Sequence, residues 1–451
     1  PDIPLNLAYI AGVLEQKGHF ARILDLNVIY SKDELAGRLN EADFDILAFT
    51  ATTPTILQCF KAISVLKKRF PGATVVLGGW HASAVPKRTL QECKDIDVIV
   101  KGEGEDTMGE LIDVISQGND FKKVKGLVYR GSGKKIIETP DRPLIQDIDR
   151  IPYPAHHLLP LGEYKKIGFY TVGGYFKKDL GLCSILTSRG CAGNCKFCAD
   201  KTINRGFCRF RSPRAVVDEI KHLVKNFNIR IFFIIDSNFM YSPVRVRRIC
   251  ELIIEEGIRI IWGCAARIDN VTEDLLLLMK KAGCIRISYG IESGSPKVLR
   301  IMKKNIKISQ IRYVVRTTKK VGIPVYIYFV YGMPGETLND AKMSEQLLME
   351  LQPDYVTQSI ATPFPGSELY EEALDDGTLK HKNWKHYNYP FEYVIDTPYI
   401  KRVFRYSRKI LRNFYISPFF IGNTIKNLKS IYHLLFYIKA LLLLVKFSFF
   451  Q

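Results

Sequence analysis

The sequence predicts an α/β protein that consists of a doubly wound parallel sheet, a partial (βα)6 barrel and a helical C-terminal extension. Two blocks of short β-branched runs alternate with helical patterns, and strands separated by single helices form parallel sheets through right-handed crossovers. The length of 451 residues also exceeds what one compact core normally holds. We place the four segments at residues 1–140, 141–180, 181–365 and 366–451.

The first block opens on a helical pattern, LNLAYIAGVLEQKG, before its predicted strands. These strands lie at residues 20–26, 44–50, 73–79 and 96–102. FKKVKGLVYRGSGKKIIETP then predicts a small hairpin, and the Pro-rich segment after it predicts a linker. Because the chain begins with Pro1 and a helix, we expect further sequence upstream, including the first strand of this sheet.

The second block repeats a strand and a helix about every 25 to 35 residues. Its predicted strands lie at residues 183–189, 231–236, 258–267, 284–290, 324–332 and 353–360. In both a doubly wound sheet and a barrel, chemistry collects on the loops that follow the strands. We therefore look for the functional residues at these strand ends.

Composition indicates a globular protein of a reducing compartment. The chain is 47% hydrophobic and 25% charged, without long low-complexity tracts. Its ten cysteines occur without an N-terminal secretory signal pattern. These observations predict a cytoplasmic protein and argue against a disulfide framework.

Three cysteines, Cys191, Cys195 and Cys198, lie in SRGCAGNCKFCAD, directly after the first strand of the second block. Buried inert thiols usually occur singly on apolar faces, whereas these lie among Gly, Asn and Lys. A structural zinc site would need a fourth ligand, for which Cys183 and Cys208 are candidates. The spacings of three and two residues favour a [4Fe–4S] cluster with one iron open to a substrate or cofactor.

This CxxxCxxC loop, with Phe197 before its last cysteine, resembles the radical S-adenosylmethionine superfamily over residues 180–365. The resemblance implies that the three cysteines hold the cluster and that the open iron binds the amino and carboxylate groups of S-adenosylmethionine. Reductive cleavage would then give a 5′-deoxyadenosyl radical, which abstracts hydrogen from the substrate. An electron donor such as flavodoxin or ferredoxin is an implied partner.

The same resemblance implies S-adenosylmethionine contacts where the second to fifth strands of the barrel end. IIDSNF, YGIESGS and VYGMPGET end the second, fourth and fifth strands, and an arginine closes the third. The implied residues are Asp236, Ser237, Asn238, Arg267, Glu292, Ser293, Gly332, Met333 and Pro334. Asp, Ser and Asn after a strand also cap helices, so each polar residue keeps that structural alternative.

The first block resembles the cobalamin-binding domain of one branch of these enzymes, on the stretches GGWHAS and VKGEGEDT. Such a sheet binds its ligand at the carboxyl edge of the strands. Glycines there would leave room for the nucleotide tail, and the hydroxyls of TATTP would contact its phosphate or dimethylbenzimidazole. The implied cobalamin residues are Thr50, Thr52, Thr53, Gly78, Gly79, His81, Gly102 and Glu103.

The lower axial ligand of cobalt is expected to differ from that of methionine-synthase-like cobalamin domains. Those domains carry Asp-x-His-x-x-Gly after the second strand, whereas this sequence has Asn27 and Tyr30 in the histidine and glycine positions. We expect a weak or absent lower ligand, with ligation by His81 as the less favoured alternative.

Residues 401–451 contain ten Lys or Arg and no Asp or Glu, beside the apolar run IYHLLFYIKALLLLVKFSFF. Lys439 and Lys446 interrupt that run, which favours a helix at a membrane surface over a membrane span. Its leucines and aromatic residues suit lipid better than nucleic acid, which we do not expect as a partner. A helix that packs against the barrel is the structural alternative.

The two resemblances together imply an enzyme that methylates an unactivated carbon or phosphorus of a small or lipid-like substrate. One alternative is a radical reaction without methylation, such as oxidative ring closure of a porphyrin ester. Another is a non-catalytic protein that binds cobalamin or lipid. The cysteine loop argues against a binding protein, which has no need of an open iron.

Overall fold

The protein is described by a computed structural model at residues 3–26, 28, 33, 37, 39, 43–118, 120–131, 133, 135–167, 181–387 and 392–426. Within these residues the chain forms a five-stranded sheet, a six-stranded sheet and a two-stranded ribbon. Helices alternate with the strands of both large sheets. The α/β class predicted from the two periodic blocks is therefore confirmed.

The first sheet contains β1 (Ile46–Thr50), β2 (Thr74–Gly78), β3 (Val98–Val100), β4 (Leu127–Arg130) and β5 (Ile136–Glu138), in that order. The first three strands are parallel, whereas β4 and β5 form an antiparallel hairpin beside β3. The helices of this half are α1 (Leu5–Gln16), α2 (Ile56–Arg69), α3 (Trp80–Ala84), α4 (Pro86–Glu92) and α5 (Glu105–Ser116). The predicted hairpin thus extends the sheet.

Helices cover both faces of the first sheet, as the alternation along β2 requires. Leu77 joins a buried cluster with Ile63 of α2, whereas Val76 points to the opposite face and packs with Leu111 of α5. Successive side chains of a strand point to opposite faces. A strand that is apolar at consecutive positions therefore has to be covered on both sides.

The strand predicted at residues 20–26 is wrong, because these residues form no strand. Their apolar side chains are buried in another way. Ile23 packs in the same core as Tyr164 of the linker, and the Tyr164 hydroxyl donates a hydrogen bond of 2.8 Å to Asp25. Tertiary packing against the linker thus replaces pairing in a sheet.

The second sheet is wholly parallel, and its spatial order follows the chain. Before it, α6 spans Leu161–Ile167. Its first strand, β6 (Gly181–Ile185), is followed by a ribbon of β7 (Ser188–Arg189) and β8 (Arg209–Phe210) that encloses the short helix α7 (Lys201–Asn204). Five strands complete the sheet: β9 (Ile229–Ile234), β10 (Ile261–Ala266), β11 (Cys284–Glu292), β12 (Val325–Tyr331) and β13 (Tyr355–Ile360).

Helices separate these parallel strands, as a partial barrel requires. They are α8 (Pro213–Phe227), α9 (Pro243–Glu255), α10 (Glu273–Lys281), α11 (Pro296–Ile301), α12 (Ile308–Val321) and α13 (Leu338–Leu351). The predicted strand at 284–290 continues to Glu292, with a register irregularity between Gly290 and Glu292. The carboxyl ends of all six strands meet at one edge.

The C-terminal extension packs on both domains. Its helices are α14 (Glu368–Asp375), α15 (Ile400–Tyr415) and α16 (Pro418–Lys426). Tyr370, Trp384 and Val394 join the core of the first sheet, whereas α15 packs against β13 and α13 of the barrel. None of the described helices combines the length and the hydrophobicity that a membrane span needs. The apolar run predicted to lie on a membrane falls outside the described residues.

Candidate functional site

The candidate site lies where two sheet edges face each other. We call residues 50–53, 78–83 and 102–103 the first-sheet edge, and the loops after β6, β9, β10, β11 and β12 the barrel edge. The helix α3, directly after Gly79, packs against α7, which directly follows the cysteine loop. The two regions that the sequence predicts to be functional are therefore neighbours.

The cysteine loop is held in place at both ends. Gly190 has φ 83°, and a Cβ there would lie 2.1 Å from the carbonyl oxygen of Phe207, so only glycine fits. The Asp200 carboxylate accepts hydrogen bonds from the Cys191 amide at 3.2 Å and from the Ser237 hydroxyl at 2.9 Å. Asp200 therefore connects the start of the loop to the end of β9.

Hydrogen-bond donors point at two of the three sulfur atoms. The Gly193 amide donates to Sγ of Cys191 at 3.3 Å, and Nη1 of Arg267 donates to Sγ of Cys195 at 3.5 Å. Burial raises the pKa of the Cys191 thiol, while the Gly193 amide and the charge of Arg267 act in the opposite direction. Such donors stabilise the thiolate form, which is the form that binds iron.

The cysteine loop is not preformed as a site for a single metal ion in the described part of the chain. Among the described residues, no three His, Cys, Asp or Glu side chains converge closely enough to hold one metal ion. Cys183 is fully buried in β6, and the Cys208 thiol donates to the carbonyl oxygen of Gly190 at 3.3 Å. Ligands of a cubane need not converge on one point, because each thiolate binds a different iron.

Three of the predicted S-adenosylmethionine residues lie beside the cysteine loop. Besides its contact with Cys195, Arg267 donates to Asp269 at 2.5 Å and to the carbonyl oxygen of Lys304 at 2.8 Å. Asn238 accepts a hydrogen bond from the Arg267 amide at 3.1 Å, and Ser237 reaches the loop through its bond to Asp200. These residues support the loop from the ends of β9 and β10, and their predicted contact with S-adenosylmethionine stays a prediction.

Asp236, in contrast, binds other parts of the chain with both carboxylate oxygens. It is buried and accepts hydrogen bonds from the Thr187 amide at 2.6 Å, the Thr187 hydroxyl at 2.5 Å and the Ser188 hydroxyl at 2.6 Å. These bonds join the end of β9 to the segment that leads into β7. The structure gives Asp236 a structural role, and its predicted contact with the cofactor stays a prediction.

The predicted residues after β11 also have partners within the chain. Glu292 has φ 62°, and its side chain accepts a hydrogen bond of 2.7 Å from the buried Lys304 ammonium. The Ser293 hydroxyl lies 3.2 Å from that of Ser344 and accepts the Ser295 amide at 3.1 Å. A non-glycine residue at positive φ is strained, so the surrounding contacts must hold Glu292 in place.

The turn after β12 depends on Glu336, which the sequence analysis did not identify. Oε2 of Glu336 accepts hydrogen bonds from the amides of Gly332 and Met333, the latter at 3.1 Å. Burial raises the pKa of Glu336 to about 8. Met333 is buried and Pro334 half-buried. The glutamate directly after the Pro334–Gly335 pair is the signal that could have indicated it.

The first-sheet edge is formed by glycines in special positions. Gly79 has φ 90°, and a Cβ there would lie 2.7 Å from Oγ1 of Thr50 and 2.9 Å from the Ala51 carbonyl oxygen. At Gly78 a Cβ would meet only the Val100 carbonyl oxygen, at 3.7 Å. Gly102 has φ 75°, with no atom within 4 Å of a Cβ at that position. The edge therefore presents backbone with open space, which suits a ligand that passes close to the chain.

The threonines of this edge are only partly available. The Thr50 hydroxyl accepts a hydrogen bond from Asn6 at 2.7 Å, and Thr53 is buried with its hydroxyl 3.0 Å from Nδ1 of His81. Thr52 is exposed, and its hydroxyl lies 3.2 Å from that of Thr55. Thr52 is therefore the predicted threonine that is most open to a ligand.

His81 is buried under a residue that the sequence analysis did not connect with it. Its ring packs edge-on against Trp384, with 4.8 Å between the ring centroids. The Arg88 guanidinium lies over the Trp384 ring, with its Cζ 3.8 Å from the ring centroid. Nε2 of His81 has no hydrogen-bond partner among the described residues, and burial lowers the pKa of His81 to about 4. Asn27 and Tyr30 lie outside the described residues.

Glu103 is engaged with the barrel domain. Its carboxylate accepts hydrogen bonds from Arg189 and Arg209, each at 2.7 Å, and from the Ile145 amide at 2.9 Å. Burial alone would raise the pKa of Glu103, but these partners outweigh it and hold the pKa below its ordinary value. The structure thus places Glu103 in an interdomain ion pair, and its predicted contact with cobalamin stays a prediction.

A small pocket lies between the two edges. Its volume is about 90 Å³, and its lining includes Ser83 and Gly102 of the first domain and Thr202 and Arg205 after the cysteine loop. Within the first-sheet edge, Gly78 and Gly102 are glycines at which an added Cβ would meet little or nothing.

Comparisons with known proteins match both halves of the chain. Residues 185–348 match the model of the Radical SAM superfamily, and residues 3–112 match the model of the B12 binding domain. An uncharacterized methyltransferase from Pyrococcus horikoshii is 32% identical over 418 residues, which cover 92% of this chain and 88% of that protein.

Two further comparisons concern proteins of stated activity. The anaerobic magnesium-protoporphyrin IX monomethyl ester cyclase of Rubrivivax gelatinosus is 30% identical over 82% of this chain and 66% of its own length, so this chain spans about two thirds of it. The structure of the radical S-adenosylmethionine methyltransferase TsrM from Kitasatospora setae has a TM-score of 0.71 at 20% identity, covering 84% of this chain and 73% of that one. The latter likeness concerns the fold.

Proposed function

This chain belongs to the Radical SAM superfamily and carries a B12 binding domain, and we propose that it methylates an unactivated carbon or phosphorus of a small or lipid-like substrate. It is a cobalamin-dependent radical SAM enzyme, as the cysteine loop and the GGWHAS stretch predict. The observation that carries the proposal is the packing of α3, behind Gly79, against α7, behind the cysteine loop. A reaction that uses both cofactors on one substrate requires such neighbouring edges.

We assign the cluster to Cys191, Cys195 and Cys198. The Gly193 amide and the Arg267 guanidinium, which donate to two of the sulfurs, would offset the negative charge of the thiolates. Three thiolates leave one iron open. The chain's own contribution is to keep that open position at the barrel edge.

For S-adenosylmethionine, we assign direct contact to residues that lie beside the cysteine loop and in the turn after β12. Ser237, Asn238 and Arg267 lie beside the cysteine loop, and Gly332, Met333 and Pro334 would let the adenine approach the backbone. Asp236, Glu292 and Ser293 would act mainly by fixing the strand ends.

For cobalamin, we assign the open edge formed by Gly78, Gly79 and Gly102, with the hydroxyl of Thr52 towards the nucleotide tail. We propose a cobalt with a weak or absent lower ligand. His81 is buried against Trp384, which supports that proposal, whereas its contact with Thr53 involves Nδ1 and leaves Nε2 without a partner among the described residues.

When bound together, the cluster, S-adenosylmethionine and cobalamin supply a hydrogen-abstracting radical and a transferable methyl group. The test is mass analysis of the products after anaerobic reconstitution of the full chain with a chemical reductant and hydroxocobalamin. Methyl transfer would give S-adenosylhomocysteine together with 5′-deoxyadenosine. Formation of 5′-deoxyadenosine without S-adenosylhomocysteine would contradict it.

That second result would favour oxidative ring closure of a porphyrin ester, which the 30% identity to the Rubrivivax gelatinosus cyclase keeps as the second candidate. The two candidates differ in the fate of the methyl group. S-Adenosylmethionine with a deuterated methyl group would label the product of a methyltransferase and leave a ring-closed product unlabelled. Formation of neither nucleoside product would favour the non-catalytic alternative.

We further propose that the enzyme is cytoplasmic and lies against the membrane surface through its C-terminal region. The exposed side of α15 carries Lys401, Arg402, Arg405, Lys409 and Arg412, none of which pairs with a carboxylate of the described residues. Exposed isoleucines follow at Ile416, Ile421 and Ile425. Each cation near an anionic surface contributes about 1 kcal/mol, and the isoleucines add apolar contact.

Sedimentation with vesicles tests this membrane proposal. The intact chain should sediment with vesicles that contain anionic lipid and far less with neutral ones. A chain that lacks residues 417–451 and carries Arg405→Glu and Lys409→Glu should lose this binding. Unchanged sedimentation of the variant, or no sedimentation of the intact chain, would leave α15 with a purely structural role.

A further inference from the structure

Four charged side chains form an ion-pair cluster between the two domains. Glu103 and Glu105 come from the end of β3 and the start of α5, and Arg189 and Arg209 come from the β7–β8 ribbon. We call these four residues the interdomain clamp. Their side chains are only 5%, 8%, 11% and 6% exposed, respectively. Two carboxylates face two guanidiniums, so the clamp is neutral as a whole.

The geometry of the clamp is specific. Arg189 donates from Nη1 to Glu103 at 2.7 Å and from Nη2 to Glu105 at 2.5 Å, so it bridges the two carboxylates. Glu103 in turn bridges two arginines, since its second oxygen accepts Nη1 of Arg209 at 2.7 Å. Planar guanidinium groups that donate along two directions fix orientation as well as distance.

The burial of all four charged side chains indicates that the clamp orients the two domains more than it stabilises the fold. The cost of removing charges from water offsets much of their attraction, and buried ion pairs can often be replaced by apolar residues without loss of stability. Removal of a single partner is costly, because it leaves a buried charge without compensation. An arrangement that is expensive to break and gains little in stability is suited to holding two domains in one orientation.

The clamp residues are adjacent in sequence to both candidate cofactor sites. Arg189 lies two residues before Cys191 and pairs across the ribbon with Arg209, which directly follows Cys208. Glu103 directly follows Gly102 of the first-sheet edge. A displacement of Glu103 would therefore act on Arg189 through the ion pair and reach Cys191 two residues further along the chain.

Further contacts tie the linker and α7 to the same point. Nη1 of Arg209 donates to the Ile145 carbonyl oxygen at 2.7 Å, and Nη2 donates to Oδ1 of Asn204 at 3.0 Å. Asn204 ends α7, the helix that packs against α3. The clamp thus connects the first-sheet edge, the linker, the ribbon and α7 through hydrogen bonds to one guanidinium.

We propose that Glu103 is a positioning residue, which holds the cysteine loop against the first-sheet edge through Arg189 and Arg209 and does not itself bind cobalamin. The identity of the two cofactors rests on the proposed function, whereas the mechanical coupling rests on the contacts alone. Glu103→Gln keeps the shape of the side chain and removes its charge, leaving excess positive charge in the clamp. We expect the ribbon and the start of the cysteine loop to loosen.

Amide hydrogen exchange of the full chain, with and without hydroxocobalamin, tests this proposal. In Glu103→Gln, exchange at residues 188–192 and 207–210 should rise by roughly tenfold or more, while the hydroxocobalamin dissociation constant stays within about threefold of wild type. The matched control is Glu110→Gln on α5, because the exposed Glu110 carboxylate pairs with Arg142, which is not part of the clamp, and should change neither quantity.

Reduced affinity for hydroxocobalamin together with unchanged exchange would overturn the proposal and restore Glu103 as a ligand. If Glu103→Gln fails to fold, Glu103→Asp replaces it. Aspartate keeps the charge but is too short to bridge both arginines, so the same rise in exchange is expected, and unchanged exchange would overturn the proposal. A wild-type chain that does not bind hydroxocobalamin would contradict the proposed function, while the exchange measurement would still decide on the clamp.

Discussion

The first-sheet edge and the barrel edge face each other, but they are built in opposite ways. The first-sheet edge presents backbone, with open space at Gly102 and only ordinary contact at Gly78. The barrel edge presents polar side chains, and several of them are engaged with one another, such as Glu292 with Lys304 and Asp236 with Thr187. A polar residue at a strand end is therefore weaker evidence of a ligand than a glycine with free space beside it.

The largest effect is expected on iron binding when a cysteine of the cysteine loop is replaced. Cys191→Ala, Cys195→Ala or Cys198→Ala should each abolish the oxygen-sensitive iron absorbance, because three thiolates are the minimum that holds a cubane with one open iron. Cys208→Ala is the matched control and should retain the iron absorbance, since the Cys208 thiol is hydrogen-bonded to the carbonyl oxygen of Gly190. Iron that is lost from Cys208→Ala but kept by Cys198→Ala would revive a different ligand set.

Gly79 and Gly78 of the first-sheet edge should respond differently to the same substitution. Gly79→Val should destabilise the fold by about 3 kcal/mol or more even without cobalamin, because φ is 90° and the side chain would collide with Thr50 and Ala51. Gly78→Val should cost less than about 1 kcal/mol, since its Cβ meets only an ordinary contact. Equal urea midpoints for both variants in the absence of cobalamin would contradict the prediction that Gly79 is more constrained than Gly78.

An engaged residue of the barrel edge should affect stability more than its exposed neighbour. Asp236→Asn should lower the free energy of unfolding by about 2 kcal/mol, because it leaves one of three buried hydrogen bonds unmade or badly matched. Ser237→Ala should change it by less than about 0.5 kcal/mol, since Ser237 is exposed. The check is urea unfolding, and a larger loss from Ser237→Ala would reverse the assignment.

A pH dependence is expected at Glu336. Burial raises its pKa in the folded state from an ordinary 4.5 to about 8, so the folded state favours the protonated form. Its contribution to stability is complete below about pH 4.5 and is lost as the pH rises towards about 8. Glu336→Gln, which cannot ionise, should unfold with a flatter pH profile than wild type between about pH 4.5 and pH 8. Parallel profiles would show that Glu336 is ionised in the fold.

Much of the fold could be predicted from the sequence, because local periodicity determines which segments form parallel strands. The cysteine loop was also predictable, since thiols at short spacing have few structural uses. The failures depend on distant contacts. Residues 20–26 have a strand pattern but pack against Tyr164, and Trp384 covers His81 from about 300 residues away in the chain. Glu103 lies in a motif yet faces arginines of another domain, which no local pattern records.

We propose that the two edges form separate cofactor sites that meet at one place, one built from thiols and the other from open backbone. Cobalt and iron measured in the same anaerobically reconstituted sample test this separation. Cys198→Ala should lose iron and keep cobalt, while Gly78→Val should lose cobalt and keep iron. Loss of both metals in each variant, or cobalt retained by Gly78→Val, would contradict the claim.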